Sequence, residues 1–323
     1  MGSDNSLNNL PEIDLSGLER GTLEWDYAKS KLWKAVEHYG CFRVVFRKIP
    51  KELPDAILSE LRELFDLPLE TKLLNNDISE LAYGGYVGIS PFGPLYESIG
   101  FDDPFKMEKI EKLISTLLPP GKPDFCKNVH NFSKQMSELE IIIITMIVES
   151  LGIEKYLDEH LNSVFYSFRV QKYGVPKTGQ TEIGLNSHKD QDVMTILYQT
   201  QVDALEVETK DGQWVDAKLS PDNFVVVIGE SLHAWTNGRA YSPNHRVTMK
   251  ANTVRYSTGL FTAFKQGYLV KAPEELVDEE HPLLYKPFDH YEYLKLIQRD
   301  AMENYGTTLK SYVPLTAYYG VDV

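Results

Sequence analysis

Cysteine is scarce in this chain: Cys41 and Cys126 are the only two among 323 residues. Two thiols cannot build a disulfide scaffold or a thiolate zinc site, and their scarcity suits a reducing compartment. Basic charge is also short, with 33 Lys and Arg against 47 Asp and Glu and a net charge of −14. Such a surface repels phosphate backbones and anionic lipid, so neither nucleic acid nor a membrane is an expected partner. Long apolar runs are missing. The longest, 141–148, is interrupted at Thr145 and falls far short of the roughly 20 residues that a bilayer span needs. The opening MGSDNSLNNLPEIDL has neither the basic nor the apolar region of a secretory leader. A cytoplasmic protein is expected, acting on a small molecule and monomeric by default.

Apolar residues make up 42% and charged residues 25%, ample material for a large core. Leu32, Ala35 and Val36 recur at helical spacing within 23–38, Gly40 follows as a stop, and CFRVVF (41–46) predicts a strand. PEIDL (11–15) predicts a short edge strand. Further helices are predicted over 51–66 and 124–152. The stretch 81–104 is rich in glycine, proline and aromatics without a clean period, which predicts an irregular pocket-shaping loop. Beyond residue 163 the texture turns β: 164–173, 193–200, 205–209, 214–217, 224–228, 246–248 and 255–264 are rich in β-branched and aromatic residues. Asp211-Gly212 adds a hairpin signal. A closing helix is predicted over 287–304. Many short strands separated by turns predict a sandwich or barrel. The expected fold is mainly β: a double-stranded β-helix (jelly-roll) core over 161–270, flanked by α-helices. A helical N-terminal region (1–160) precedes it, and a C-terminal helix and tail (271–323) follow.

The β region carries the chemistry. His188 and Asp190 lie two residues apart, which on a strand would turn both side chains to one face. His245 follows 55 residues later, within PNHRV. Alone, the first pair more often describes a hydrogen-bonded surface pair than a metal site, and a lone histidine is more often structural than a ligand. Together, two imidazoles and one carboxylate can occupy one face of an octahedral metal and leave the opposite face open, the arrangement used by non-haem Fe(II) oxygenases. Arg255, ten residues past the second histidine, could hold the carboxylate of a metal-chelating keto acid with its planar fork. Ser257 falls on the same strand face and could share that carboxylate.

The order of these residues, with several local phrases, resembles the plant 2-oxoglutarate- and Fe(II)-dependent dioxygenases over about residues 10–300. The phrases are PEIDL, the Trp33 and GCF (40–42) region, FDLPLETK (65–72), and WTNGR (235–239) ahead of His245-Arg-Val. YESIG (96–100) and NSHKD (186–190) are similar to the branch containing the alkenyl- and hydroxyalkyl-forming dioxygenases of glucosinolate metabolism. The resemblance implies iron on His188, Asp190 and His245, and the distal carboxylate of 2-oxoglutarate on Arg255 and Ser257. It also implies a contact from Tyr173 to that carboxylate, and one from Gln171, where many relatives have Asn, to the co-substrate. Lys189 is expected to point away from the iron, and Glu230 to support the site. The implied reaction uses O2, releases succinate and CO2, and hydroxylates, desaturates or demethylates a small specialised metabolite, with ascorbate as an activator. Two other readings are an oxidase of the same fold that dispenses with 2-oxoglutarate, and a catalytically idle binding protein. Substrate contacts are expected from Phe92, Tyr96 and Phe264, drawn from aromatics that include Tyr83, Tyr86, Phe101 and Phe261. Phe264 stands an odd number of residues from Arg255, so a bulge would be needed to turn it inward. Glu97 is expected to be solvated rather than paired with a cationic substrate.

Overall fold

A computed structural model of the protein describes residues 9–78, 84–90, 92–177, 181–199, 202–218, 220, 223–250, 252–303 and 313–321. Tyr83 lies outside these. The first half runs β1 (Glu12–Asp14), α1 (Leu23–His38), β2 (Cys41–Val45), α2 (Glu52–Phe65), α3 (Leu69–Ile78), β3 (Gly85–Val87), β4 (Tyr96–Asp102), α4 (Met107–Leu117), α5 (Pro123–Leu151) and α6 (Leu157–Ser163). The second half continues with β5 (Val164–Tyr173), β6 (Glu182–His188), β7 (Met194–Gln199), β8 (Leu205–Glu208), β9 (Trp214–Asp216) and β10 (Asn223–Ile228). It ends with α7 (Glu230–Trp235), β11 (His245–Met249), β12 (Arg255–Phe264), β13 (Leu269–Val270), β14 (Phe288–Asp289), α8 (His290–Glu303) and α9 (Thr316–Tyr319).

Two sheets form the jelly roll. The larger has the order β1-β2-β10-β7-β12-β5-β4-β3, and the smaller β6-β11-β8-β9. Period-two alternation gives each strand two jobs. On β7, Ile196 and Tyr198 join the core under the helices, while Leu197 packs into a second core with Leu185, Leu205, Val207, Val247 and Met249 of the smaller sheet. The second core therefore lies between the sheets, and the helices cover the opposite face of the larger one.

The helices form where the pattern asks for them. In α1 the Thr22 side chain accepts a hydrogen bond from the Trp25 backbone N–H, and Trp25, Ala28, Leu32, Ala35 and Val36 form its buried stripe. Helix α5 starts with Pro123 and stops at Gly152, whose φ of 69° is the left-handed conformation that glycine adopts freely. Its buried face includes Phe132, Met136, Leu139, Ile143, Ile144 and Ile147, each contributing about 1.5–3 kcal/mol of apolar burial. No described helix is long and apolar enough to cross a membrane.

Two expectations are corrected here. The stretch 81–104 is not wholly irregular: β4 pairs with β5 along its whole length, from Tyr96 opposite Tyr173 to Asp102 opposite Ser167. Glycine and serine at alternate positions hid the period. Helix α4 was not foreseen, although Ile110, Leu113, Ile114 and Leu117 form a buried stripe at helical spacing.

Candidate metal centre and co-substrate seat

The smaller sheet brings the two histidines together. His188 ends β6, His245 begins β11, and the two are direct antiparallel partners. Their ring centroids are 4.2 Å apart. Asp190 does not share the strand with His188, as its spacing suggested; it lies two residues beyond His188, past the end of β6. The chain turns there, and Asp190 Oδ1 comes within 3.7 Å of His188 Nε2 and 3.6 Å of His245 Nε2. Backbone bonds pin this turn: the N–H of Glu230 donates to Asp190 O (2.8 Å) and that of Ser231 to Asp192 O (3.0 Å). Gly229 permits the approach, since a Cβ there would lie 2.0 Å from the Asp192 carbonyl oxygen.

The donor set fits a metal ion. One nitrogen or oxygen from each residue lies within 4.8 Å of the others. Adjacent donors about 2.1 Å from a shared ion stand about 3 Å apart, so binding would draw each imidazole and the carboxylate together by less than an ångström. His188 Nδ1 faces the Asn186 carbonyl at 2.8 Å, which places its proton there and turns the Nε2 lone pair to the centre. Burial and the neighbouring His245 ring lower the His188 pKa to about 4, against the pull of Asp190. A neutral imidazole is the form that binds metal. Thr195 donates to Asp190 Oδ2 (2.6 Å), leaving Oδ1 toward the imidazoles. It also lies 3.0 Å from Asp192, whose carboxyl is pushed well above the usual range by burial beside Asp190.

The larger sheet supplies the second half of the site. Arg255 stands opposite Tyr173, and Ser257 opposite Gln171, on β12 and β5. Arg255, Tyr173 and Gln171 share a cavity of about 80 Å3 with the three metal-binding candidates, walled by Leu185, Leu197, Leu205, Val247 and Phe261, and Ser257 sits buried behind them, bonded to Arg255 and Gln171. The Arg255 guanidinium lies 4.7 Å from the centre of the Tyr173 ring and is 2% exposed. Burial pulls its pKa below the ordinary guanidinium value, with the Tyr173 phenol opposing. Its hydrogen-bond partners include the Gln199 amide oxygen and the Ser257 hydroxyl, and among the described residues no carboxylate forms an ion pair with it. Asp203 favours the charge only through space; a buried cation with no carboxylate in contact is costly, and an anionic ligand lowers that cost.

The aromatic candidates separate. Phe92 meets the His188 ring edge-on at 5.6 Å. Tyr96 lines the cavity, packs on Tyr173 at 5.2 Å and accepts a hydrogen bond from Gln171 Nε2 (3.3 Å). Phe264 does not join them. It is fully buried at the far end of β12, against His160 and Tyr268. Its pairing with β5 is continuous, with no bulge to turn it inward. Phe261, an even number of residues from Arg255, faces the cavity instead. Glu97 is neither solvated nor available to a substrate. It accepts from Lys72 (2.6 Å) and Tyr86 (2.7 Å) on the outer face of β4, and these partners, with Lys172, hold its carboxyl below the usual range against burial. Lys189 turns out over the Tyr241 ring. Glu230 points away from the centre, accepting from Tyr293 Oη (2.6 Å) and the Leu315 N–H, and burial pushes it up to about 7. Thr195, Leu197 and Gln199 were not picked out beforehand; the signal for them is their alternation on β7.

Comparison with known proteins agrees with this geometry. Residues 162–263 match the 2OG-Fe(II) oxygenase superfamily, and residues 10–93 match the N-terminal family described as non-haem dioxygenase in morphine synthesis. The chain is 43% identical over 300 residues to the probable 2-oxoglutarate-dependent dioxygenase AOP1.2 of Arabidopsis thaliana, covering 90% of this chain and 92% of that protein. The rice dioxygenase for auxin oxidation superposes with a TM-score of 0.76 at 30% identity, over 90% of this chain and 96% of that one. JOX2, solved with 2OG, Fe and JA, gives 0.74 at 25% identity, over 90% and 85%. This chain belongs to the 2-oxoglutarate- and Fe(II)-dependent dioxygenases, on their AOP-type plant branch.

Proposed function

We propose that this enzyme oxidises a small specialised plant metabolite at an unactivated carbon, converting 2-oxoglutarate and O2 to succinate and CO2. The observation that carries this is the buried Arg255, which among the described residues forms no ion pair, in the same cavity as His188, Asp190 and His245. His188, Asp190 and His245 would hold Fe(II), which when bound supplies the O2 chemistry that side chains lack. Arg255, with Ser257 and Tyr173, would seat the distal carboxylate of the keto acid. Gln171 bridges Ser257 and Tyr96, so the co-substrate seat and the substrate wall share one hydrogen-bonded unit.

The apolar walls from Leu185, Leu205, Val247 and Phe261, with Phe92 beside His188, favour a hydrocarbon portion of the substrate next to the metal. They also exclude water from the reacting carbon. Which hydrogen faces the metal then decides between hydroxylation, desaturation and demethylation. The test is an extract screen with Fe(II), 2-oxoglutarate and O2. Succinate should appear together with a product heavier by one oxygen or lighter by two hydrogens. Product formation without succinate would instead identify an oxidase independent of 2-oxoglutarate. Failure of iron-loaded protein to consume 2-oxoglutarate with any extract would remove the proposal.

A further inference from the structure

We infer that Gln199 is a positioning residue for 2-oxoglutarate: it caps one edge of the Arg255 guanidinium, orients the other toward the cavity, and preserves its charge for the incoming carboxylate. The inference rests on Arg255 being the seat of the distal carboxylate.

Arginine has five N–H donors on a rigid plane and no acceptor, so the atom facing it must be the Gln199 amide oxygen. Both Nε (2.7 Å) and Nη2 bond that one oxygen. Nε and Nη2 form one of the two edges of a guanidinium that can grip a carboxylate in a bidentate way. That edge is closed. Nη1 reaches Ser257 Oγ at 3.3 Å, and the Tyr173 ring covers a face of the plane. What remains is the Nη1/Nη2 edge. Gln199 is itself 2% exposed and ends β7 directly opposite Ser257 in the sheet, so backbone pairing fixes the cap.

The choice of an amide matters as much as its place. Glutamate has the same shape and would accept the same two hydrogen bonds, but it would neutralise the guanidinium. A second carboxylate arriving at the cavity would then meet a paired cation in a buried setting, and its own desolvation would go uncompensated. Glutamine satisfies two N–H groups and leaves the positive charge free.

Anaerobic calorimetric titration of the Fe(II)-loaded protein tests this with two keto acids. The first is 2-oxoglutarate, and the second is 2-oxopentanoate, which keeps the chelating end and lacks the distal carboxylate. Wild type should prefer 2-oxoglutarate by at least roughly tenfold, the worth of one charged hydrogen-bonded pair. Gln199→Glu should erase that preference, leave 2-oxopentanoate affinity unchanged, and retain iron and thermal stability. Gln199→Met keeps the volume and the free charge and loses the cap. It should weaken 2-oxoglutarate binding several-fold while keeping part of the preference, and it serves if the Glu variant fails to fold. A Glu variant that keeps the full wild-type preference overturns the role of Gln199. A wild type with no preference overturns the Arg255 seat itself, and the inference with it.

Discussion

Glu140 offers a quantitative check on the buried interior, far from any metal. It sits on α5, fully buried, with Oε2 accepting from Tyr166 Oη at 3.0 Å and Oε1 buried without a partner among the described residues. Burial pushes its pKa from the ordinary 4.5 up to about 7, outweighing the Tyr166 hydrogen bond. Between those values the folded carboxyl keeps its proton and the unfolded one has released it. Unfolding then releases a proton, so stability falls as pH rises from about 4.5 to about 7 and the loss is complete above that. For one group with these two values, the linkage gives a penalty of about 1 kcal/mol at pH 5 and about 3 kcal/mol at pH 8. Glu140→Gln removes the titration and keeps the shape. Any misfit of its amide in the pocket costs the same at every pH. The stability of the variant relative to wild type should therefore rise by about 2–3 kcal/mol between pH 5 and pH 8, read from urea unfolding at both values. A change of that size corresponds to about 4 °C in Tm for a chain of this length. A difference between the two proteins that stays constant with pH would refute the reasoning.

Three further outcomes are expected. Asp190→Ala should lose iron binding and succinate formation while retaining the wild-type circular dichroism spectrum, because the side chain sits on a turn at the cavity edge rather than in packed core; normal turnover would contradict the ligand assignment. Arg255→Ala should raise KM for 2-oxoglutarate by roughly 30-fold or more, the equivalent of about 2 kcal/mol for truncating one partner of a buried charge pair, with a smaller effect on the KM of the organic substrate. Phe264→Ala should cost about 3–5 kcal/mol of stability by leaving a cavity, and the KM for the organic substrate should not change, since the ring packs on His160 and Tyr268.

The chemistry was legible because it is written in residue types whose order is unusual: His188, Asp190 and His245, then Arg255 and Ser257 at fixed spacing. The geometry joining them was less so. Two-residue spacing suggested that His188 and Asp190 share a strand face, whereas a turn braced by Glu230 and Ser231 brings them together. Tyr96–Asp102 passed for a loop, since glycine and serine carry no apolar signal; the pairing partner β5, some 70 residues away, makes it a strand. Gln199 belongs to no motif. Only the register of β7 against β12 sets it opposite Ser257. Phe264 was misplaced despite a rule already in hand, for its odd separation from Arg255 pointed it away from the cavity.

The metal candidates His188 and His245 hang from the smaller sheet, and Arg255 from the larger. Facing sheets pack about 10 Å apart, so with Fe(II) on the histidines and the distal carboxylate on Arg255, as proposed, the sandwich itself would act as a calliper for the keto diacid stretched between them. Acids one carbon shorter or longer would miss one jaw, whatever the loops above present. On that proposal, chain-length selectivity for the co-substrate would be lodged in the scaffold, leaving the rim of the cavity free to diverge toward new metabolites.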